Sequence, residues 1–198
     1  MRRLAHPFLL ALLLLAPVFA HAATWEIDPA HSSVSFSVRH MMISTVRGQF
    51  RTFSAKATGD PTAPASATIE ATIDAKTIDT GNEKRDGHLK SPDFFDVEKF
   101  PTVTFKSKKI ESAAAGKAKV TGDLTMHGVT KQVVLDVEYP AATIKDPMGN
   151  TKAGAHATTR INRKDFGIVW NKAMDGGGIM VGDDVDVTID VEAVKKGD

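Results

Sequence analysis

Residues 81–105 contain the densest group of side chains that could take part in chemistry. The charged members are Glu83, Lys84, Arg85, Asp86 and His88, and the apolar ones that follow are Leu89, Phe94, Phe95 and Phe100. A plain connection between two strands needs only a few turn residues. A polar cluster beside an apolar one instead indicates a lid over an apolar cavity or a docking site for an amphipathic ligand.

Other kinds of chemistry find little support in the sequence. The histidines after residue 22 are His31, His40, His88, His127 and His156, and they show neither H-x-H nor H-E-x-x-H spacing. The chain contains no cysteine, so it has no thiol nucleophile and no disulfide framework. No G-x-S-x-G motif occurs, and the glycines at 176–178 lack the lysine of a phosphate-binding loop. We therefore predict no catalytic residue, no metal site and no cofactor.

The N-terminal residues predict export. Arg2 and Arg3 precede an apolar stretch at 8–19, and Ala20-His21-Ala22 is typical of a cleavage site. We predict a signal peptide at 1–22, one domain at 23–198, a periplasmic location and no integral membrane segment in the mature chain. Removing Arg2 and Arg3 leaves 23 basic against 24 acidic residues, a net charge of −1. This balance argues against nucleic acid as a partner.

Alternation of apolar and polar residues predicts an all-β fold. The predicted strands are 33–40, 43–54, 68–74, 102–108, 118–126, 130–139, 151–161 and 185–194. Gly48, within the second strand, allows a bulge or a close approach of another group. Short helical segments are predicted near 82–90 and 91–95. Because nearly every strand has one polar face, closing a single sheet buries the apolar face and removes its edges. We predict an eight-stranded antiparallel up-and-down barrel, with a sandwich as the alternative.

The inward positions favour a ligand cavity over a packed interior. Ala71, Ala118, Ala153, Ala155 and Ala157 are small, and Phe36, Val38, Phe50, Phe105 and Met126 could form the walls. Leu89, Phe94, Phe95 and Trp170 are predicted to complete the apolar lining, although phenylalanines at such positions also suit an ordinary core. A packed barrel that acts only as a partner-binding module remains the alternative.

The polar residues predicted at the mouth are His40, Arg85 and His88, with Asp86 as a further candidate. Each has a structural alternative. His40 could hydrogen-bond a backbone carbonyl or Ser44, and Arg85 could pair with Asp86 or cap the short helix. His31, three residues after Asp28, is predicted to fix a turn.

Several motifs resemble, in order, those of the YceI family of lipid- or polyisoprenoid-binding periplasmic proteins. They are DPAHS at 28–32, STVRGQF at 44–50, RDGHLKSPDFFD at 85–96, PTVTFKS at 101–107, GDLTMHGVT at 122–130 and DFG at 165–167. The resemblance covers essentially the whole chain after residue 22. It implies a lipocalin-like barrel whose apolar tunnel holds an isoprenoid chain. Gln132 departs from the proline expected there, and the glycine-rich residues at 173–180 could alter ligand preference.

From these observations we expect a non-enzymatic carrier of a polyisoprenoid, such as a quinone or a prenyl lipid, that acts as a monomer or homodimer. The rival from another class is a hydrolase or isomerase that acts on a lipid in the same cavity. In that case His40 or His88 would serve as the base, with Ser44 or Asp86 as its partner.

Overall fold

The computed structural model describes residues 22–60, 63–140, 142–175 and 177–196. Apart from Ala22, the predicted signal peptide lies outside the described residues. Within them the chain forms twelve strands and one α-helix. The strands are β1 (Thr24–Ile27), β2 (Ser33–His40), β3 (Ser44–Phe50), β4 (Phe53–Thr58), β5 (Thr68–Asp74), β6 (Ile78–Asp79), β7 (Thr102–Ala114), β8 (Lys117–Met126), β9 (Val129–Glu138), β10 (Ile144–Lys145), β11 (Thr151–Asn162) and β12 (Val181–Lys196), and the helix is α1 (Glu83–Lys90).

The strands close into an antiparallel barrel with eight strand positions. Three positions each hold two consecutive segments, namely β1 with β2, β3 with β4, and β5 with β6. Strands β7, β8, β9, β11 and β12 supply the other five, while β10 adds only to the edge of β11. Strand β12 pairs with β11 on one side and with β1 and β2 on the other, which closes the ring. The predicted up-and-down barrel is confirmed, and the sandwich alternative is wrong.

Local boundaries differ from the prediction where tertiary contacts interrupt a strand. The strand predicted at 43–54 is two strands, because the N–H groups of Arg51 and Thr52 donate to the backbone oxygen and the hydroxyl of Thr77. The pattern does not predict β1, since four residues are too few for alternation to show. The helical segment predicted at 91–95 is wrong. Those residues form turns, in which the Phe95 N–H reaches back to Leu89 O at 3.0 Å.

Helix α1 is short because its own sequence starts and stops it. The side chain of Asn82 accepts a hydrogen bond from the Arg85 N–H at 3.0 Å, and this N-cap satisfies one of the free donors of the first turn. Glu83 in the first turn lies where the helix dipole favours negative charge. The helix ends at Lys90, two residues before Pro92, which cannot donate a helical hydrogen bond.

Charged side chains cover the outer face of the barrel in cross-strand pairs. They include Glu70–Lys106, Lys117–Glu138, Lys119–Asp136 and Arg160–Asp186, all of them exposed. Exposed pairs of this kind contribute little stability. Their regular outward phase instead fixes the apolar residues between them on the inner face, because a shift of one residue would exchange the two faces.

The largest cluster of buried residues lies at one end of the barrel, and smaller buried clusters surround Ile78 and Val120. We call the segments that cover this end the cap, defined as residues 80–100 around α1 and residues 163–180 between β11 and β12. The buried cluster that these segments form with the barrel residues beneath them contains Ala75, Phe94, Val97, Val103, Met126, Ile161, Phe166 and Ile168. The cap is therefore a small packed core that closes one end of the barrel.

Candidate ligand-binding lumen and its cap

Inward-facing side chains in the middle of the barrel keep solvent-accessible surface. They alternate with the charged outward residues and therefore point into the closed wall. The half-buried members include Phe36, Val38, Ile69, Ala71, Ile73, Leu124, Val133, Leu135, Val187 and Ile189. Interior side chains of a filled barrel would be buried on all sides, at the packing density of a crystal. We infer from their remaining exposure a partly filled apolar interior, which we call the lumen, although Ala118 and Val120 on the same inner face are buried.

Two of the predicted wall residues, Phe36 and Phe105, lie over glycines of neighbouring strands. A Cβ atom on Gly48 would come within 2.5 Å of Phe36 Cζ, and one on Gly122 would come within 2.4 Å of Phe105 Cζ. Each ring thus fills the space that a side chain on the next strand would take. The expected close approach at Gly48 is confirmed. Phe36 also packs against the buried cluster of Val34, Phe50 and Ile78, and Phe105 against that of Ile110, Ala118 and Val120.

A row of rings connects the wall to the cap. The ring centroids of Phe36 and Phe50 are 5.8 Å apart, and Phe95 meets Phe50 edge-on at the same separation. Edge-to-face contacts at such distances are favourable for aromatic pairs. Leu89 and Phe95 also pack against both the cap cluster and the cluster around Phe50. Leu89, Phe50 and Phe95 thus lie in one apolar cluster, and their contact with a ligand stays a prediction.

His88 joins the two segments of the cap. Its ring packs edge-on against Phe94, with centroids 5.0 Å apart, and against Trp170, with centroids 4.9 Å apart. His88 Nε2 lies 2.8 Å from Asp93 Oδ2, and this hydrogen bond fixes the orientation of the ring. Phe94 is buried, whereas His88 is exposed at the outer surface. The predicted residues His88, Phe94 and Trp170 thus form one cluster that clamps α1 to the segment after β11.

Arg85 and Asp86 both bind Thr80 rather than each other. Arg85 donates from Nε to Thr80 Oγ1 at 2.7 Å and from Nη2 to Thr80 O at 2.8 Å. Asp86 Oδ1 accepts the Thr80 N–H at 2.9 Å. The Arg85–Asp86 ion pair considered from sequence is therefore wrong, and these bonds fix the loop before α1. An open depression of about 350 Å³ lies alongside, lined by Asn82, Lys84, Arg85 and His88.

Met126 lies in different surroundings from those expected, and His40 makes a different contact. Met126 was expected in the lumen wall but is buried in the cap cluster, because β8 ends beneath the cap. His40 ends β2, and its ring is half-buried. The Ser44 hydroxyl donates to the backbone oxygen of His40 at 3.4 Å, so the contact considered from sequence involves the carbonyl group and leaves the imidazole out.

Arg163 organises the cap, and the sequence gives little sign of it. Its side chain is 4% exposed and donates to the carbonyl oxygens of Gly182, Ile168 and Trp170, at 2.9, 2.7 and 2.8 Å. It also pairs with Asp183 Oδ1 at 3.2 Å. Burial lowers the pKa of this guanidinium from its usual value, while Asp183 opposes the shift. A single arginine after a strand normally indicates a solvated position, so only its place before the DFG motif could have drawn attention to it.

A second charged cluster lies on the outer wall towards the opposite end of the barrel. Lys152 Nζ bonds Glu192 and lies 3.5 Å from Asp28 Oδ2 and 3.9 Å from Asp146 Oδ2. His31 Nδ1 lies 2.8 Å from Asp28 Oδ2 within a 3-10 turn, so the predicted turn role of His31 is confirmed. The hydrogen bond from His31 lowers the pKa of Asp28. The side-chain atoms of Asp28, His31 and Glu192 that could bind a metal ion lie within 4.8 Å of one another. The ammonium of Lys152 already supplies the positive charge that a metal ion would bring there.

Comparison with known proteins identifies the family. The family model of the YceI-like domain matches residues 25–193. The chain belongs to the YceI-like family. A UPF0312 protein of Vibrio cholerae is 36% identical to this YceI-like protein over 189 residues, which cover 94% of the chain and 95% of the relative. The resemblance inferred from the ordered motifs is thereby confirmed.

Solved structures show the same barrel. Burkholderia cenocepacia BcnA is 26% identical and superposes with a TM-score of 0.72, covering 84% of this YceI-like chain and 98% of BcnA. A polyisoprenoid-binding domain from Saccharophagus degradans, implicated in plant cell wall breakdown, superposes with a TM-score of 0.64 over 87% of this chain and 98% of that domain. At 13% identity the latter comparison supports the fold alone. None of the described helices is long and apolar enough to cross a bilayer.

Proposed function

We propose that this YceI-like protein is an exported, periplasmic binding protein that holds one long apolar chain in its lumen. The ligand class is a polyisoprenoid, such as a quinone or a prenyl lipid, held for transport, storage or sequestration. The observation that carries the proposal is the half-buried apolar lining of the lumen, where Phe36 and Phe105 lie over Gly48 and Gly122. The signal-like N-terminal residues and the polyisoprenoid-binding relative of the same fold support it.

The size of the hydrophobic effect suits a branched hydrocarbon chain. Burying each five-carbon isoprene unit contributes on the order of 3–4 kcal/mol, at ~0.8 kcal/mol per buried carbon group. A few units already exceed the entropy lost on association, so affinity does not require a polar contact. Methyl groups and rings line most of the lumen, and Lys131, opposite Leu124 on β9, is an exposed charged residue in the inner phase. The apolar wall therefore supplies affinity, and polar residues outside it select the head group.

The head group belongs at the depression beside α1. Lys84 and His88 are exposed there, and Arg85 shapes its floor through its two bonds to Thr80. Cationic and imidazole donors at this position suit a phosphate or a quinone oxygen. His40, half-buried at the end of β2, is the second polar candidate. His40→Leu or Arg85→Ala should change head-group preference more than affinity for a bare chain, and equal losses for both ligands would contradict this assignment.

A lumen-filling variant tests the binding site directly. Leu135 points inwards on β9, and the adjacent Val134 points outwards and is exposed. Leu135→Trp should abolish uptake of a labelled isoprenoid because the indole occupies the lumen, whereas Val134→Trp should leave uptake unchanged. Native mass spectrometry of protein isolated from the periplasm, followed by lipid extraction, identifies the natural ligand. An empty protein that also takes up no labelled isoprenoid contradicts the proposal.

One observation keeps an enzymatic alternative testable. His88 and Asp93 form the carboxylate–imidazole pair that orients a general base. However, Asp86, one proposed partner, bonds Thr80, and the Ser44 hydroxyl bonds the His40 carbonyl. We propose that His88 clamps the cap, as its contacts with Phe94 and Trp170 indicate. Turnover of lipid esters that disappears in His88→Gln but survives in Trp170→Phe would favour the enzyme.

A further inference from the structure

An exposed apolar surface lies at the capped end of the barrel. Met41, Met42 and Ile43 form the turn between β2 and β3, and Ile179 lies in the neighbouring hairpin of residues 173–179. We call these four residues the apolar tip. Met42 is 63% exposed and Ile43 is 80% exposed. The Met41 N–H donates to Met180 O at 2.7 Å, and Met42 Sδ lies 2.7 Å from where a Cβ on Gly178 would be, so the turn and the hairpin form one continuous surface.

The turn is poorly suited to a purely connecting role. Met41 and Met42 have φ values of 51° and 62°, in the left-handed region that glycine and asparagine adopt most easily. Tight hairpin turns with positive φ therefore strongly favour Asn-Gly or Asp-Gly. Here two methionines carry backbone strain and also expose their side chains to water. Such unfavourable choices in the free protein indicate that the side chains gain a partner elsewhere.

The charges around the apolar tip point to the chemistry of that partner. Arg39, Arg47 and Lys172 are exposed, and among the described residues none of them forms an ion pair. Arg39 Nη2 instead donates to Met42 O at 2.7 Å. The positive charge of Arg39 therefore lies at the edge of the apolar tip, and apolar groups that enter a bilayer interface are typically bordered by basic side chains at the headgroups. Asp175 is the acidic side chain of the same hairpin.

We propose that the apolar tip docks the capped end of the barrel onto an anionic lipid bilayer, from which the lumen takes its ligand. The source of the ligand depends on the proposed function, whereas the docking itself does not. A second copy of the chain fits the surface less well. A two-fold interface over the tip would bring the basic side chains of both copies, Arg39, Arg47 and Lys172, into one interface.

Vesicle co-sedimentation of the ligand-free protein tests the docking. The protein should bind vesicles that contain phosphatidylglycerol at least tenfold more strongly than vesicles of phosphatidylcholine alone. Arg39→Gln with Arg47→Gln should weaken binding to the anionic vesicles by about fivefold per basic side chain. Replacing both arginines by lysine should largely preserve binding. Met42→Asn with Ile43→Ser should reduce binding at least tenfold, and because asparagine suits the φ of Met42, unfolding would not explain that loss.

A matched control lies at the other end of the barrel. Ile144 and Met148, near the β10–β11 turn, are 66% and 82% exposed. Ile144→Ser with Met148→Ser removes a comparable apolar surface and should leave vesicle binding unchanged. Equal effects of the two double variants, or no sedimentation with either vesicle, would overturn the proposal. A concentration-dependent dimer that the tip variant breaks, with vesicle binding intact, would assign the surface to a second copy instead.

The docking and the proposed function fail in different ways. Uptake of a labelled isoprenoid presented on cyclodextrin requires no membrane, so the tip variant should retain it. If the unmodified protein binds vesicles but takes up no isoprenoid, the proposed ligand is wrong and the docking stands. If it takes up isoprenoid but binds no vesicle, the docking is wrong and the carrier function stands.

Discussion

The cap and the middle of the barrel contain similar apolar residues, but these residues are packed to different degrees. Beneath the cap, Phe94, Phe166 and Ile168 are buried on all sides. In the middle of the barrel, Phe36, Leu135 and other inward residues stay half-buried. Since buried apolar area provides most of the stability of a fold, the cap should contribute more per residue than the lumen wall does. Under the proposed function, a ligand bound in the lumen would supply that burial.

This contrast separates residues that maintain the fold from residues that set the size of ligand the lumen can hold. In the cap, a deleted side chain leaves a cavity or an unpaired polar group. In the lumen, a deleted side chain enlarges a space that already exists. Stability and ligand capacity should therefore respond to different sets of substitutions.

Removal of the buried arginine should produce the largest effect. Arg163→Ala should lower the free energy of unfolding by about 3–5 kcal/mol, because it leaves the Ile168 and Trp170 carbonyls without their buried donor. Arg160→Ala is the matched control, since Arg160 is exposed and pairs with Asp186 on the outer wall. That variant should change stability by less than about 1 kcal/mol. Urea denaturation measures both, and similar losses would contradict the distinction.

A pair of phenylalanine truncations compares the two regions directly. Phe94→Ala in the cap should destabilise by about 3–5 kcal/mol, whereas Phe36→Ala in the lumen should destabilise by roughly half as much, because its ring already borders open space. Phe36→Ala should also admit bulkier apolar ligands. Urea denaturation gives the stabilities, and displacement of a fluorescent fatty probe by ligands of increasing width gives the capacity. A larger loss of stability for Phe36 would reverse the assignment of the two regions.

The barrel itself could be predicted from sequence because alternation is a local signal. Strands β2 and β5 begin and end where the pattern predicts, at Ser33–His40 and Thr68–Asp74. Their faces alternate without interruption, and nothing in the tertiary structure breaks them. The break between β3 and β4 occurs where Thr77 accepts hydrogen bonds from the N–H groups of Arg51 and Thr52. Thr77 is 25 or more positions away, so no local pattern shows this break.

The details of the candidate site were less predictable, since they depend on which polar groups meet across the fold. Residues 81–105 were predicted to form a lid from the adjacency of charged and apolar side chains, and residues 80–100 do cover one end of the barrel. The bonds of Arg85 and Asp86 to Thr80 could not be inferred, because an adjacent acid and base suggest a pair with each other. Arg163 was missed because the carbonyl groups that bind its side chain belong to residues 168–170 and 181–182. Only the folded chain brings those groups next to it.

A single added methyl group should sharpen the description of the lumen. Gly48→Ala places a Cβ where the Phe36 ring lies, so the ring must turn towards the axis. We expect a loss of about 1–3 kcal/mol from overpacking and weaker binding of long isoprenoids than of short ones. Gly154→Ala in β11 is the control, because its Cβ would meet nothing closer than 3.5 Å. Equal binding of all chain lengths by Gly48→Ala would indicate that Phe36 does not border the ligand.

The outer cluster at the opposite end should have the smallest effect, and that effect should depend on pH. The hydrogen bond from His31 lowers the pKa of Asp28 in the folded protein. Its contribution is therefore present above the unfolded pKa of about 3.9 and is lost as pH falls through the lower folded value. Asp28→Asn should lower stability at neutral pH and flatten the decline below about pH 4, and His31→Gln should act in the same direction. An acid unfolding profile of Asp28→Asn that runs parallel to that of the unmodified protein would show that this pair does not link folding to protonation.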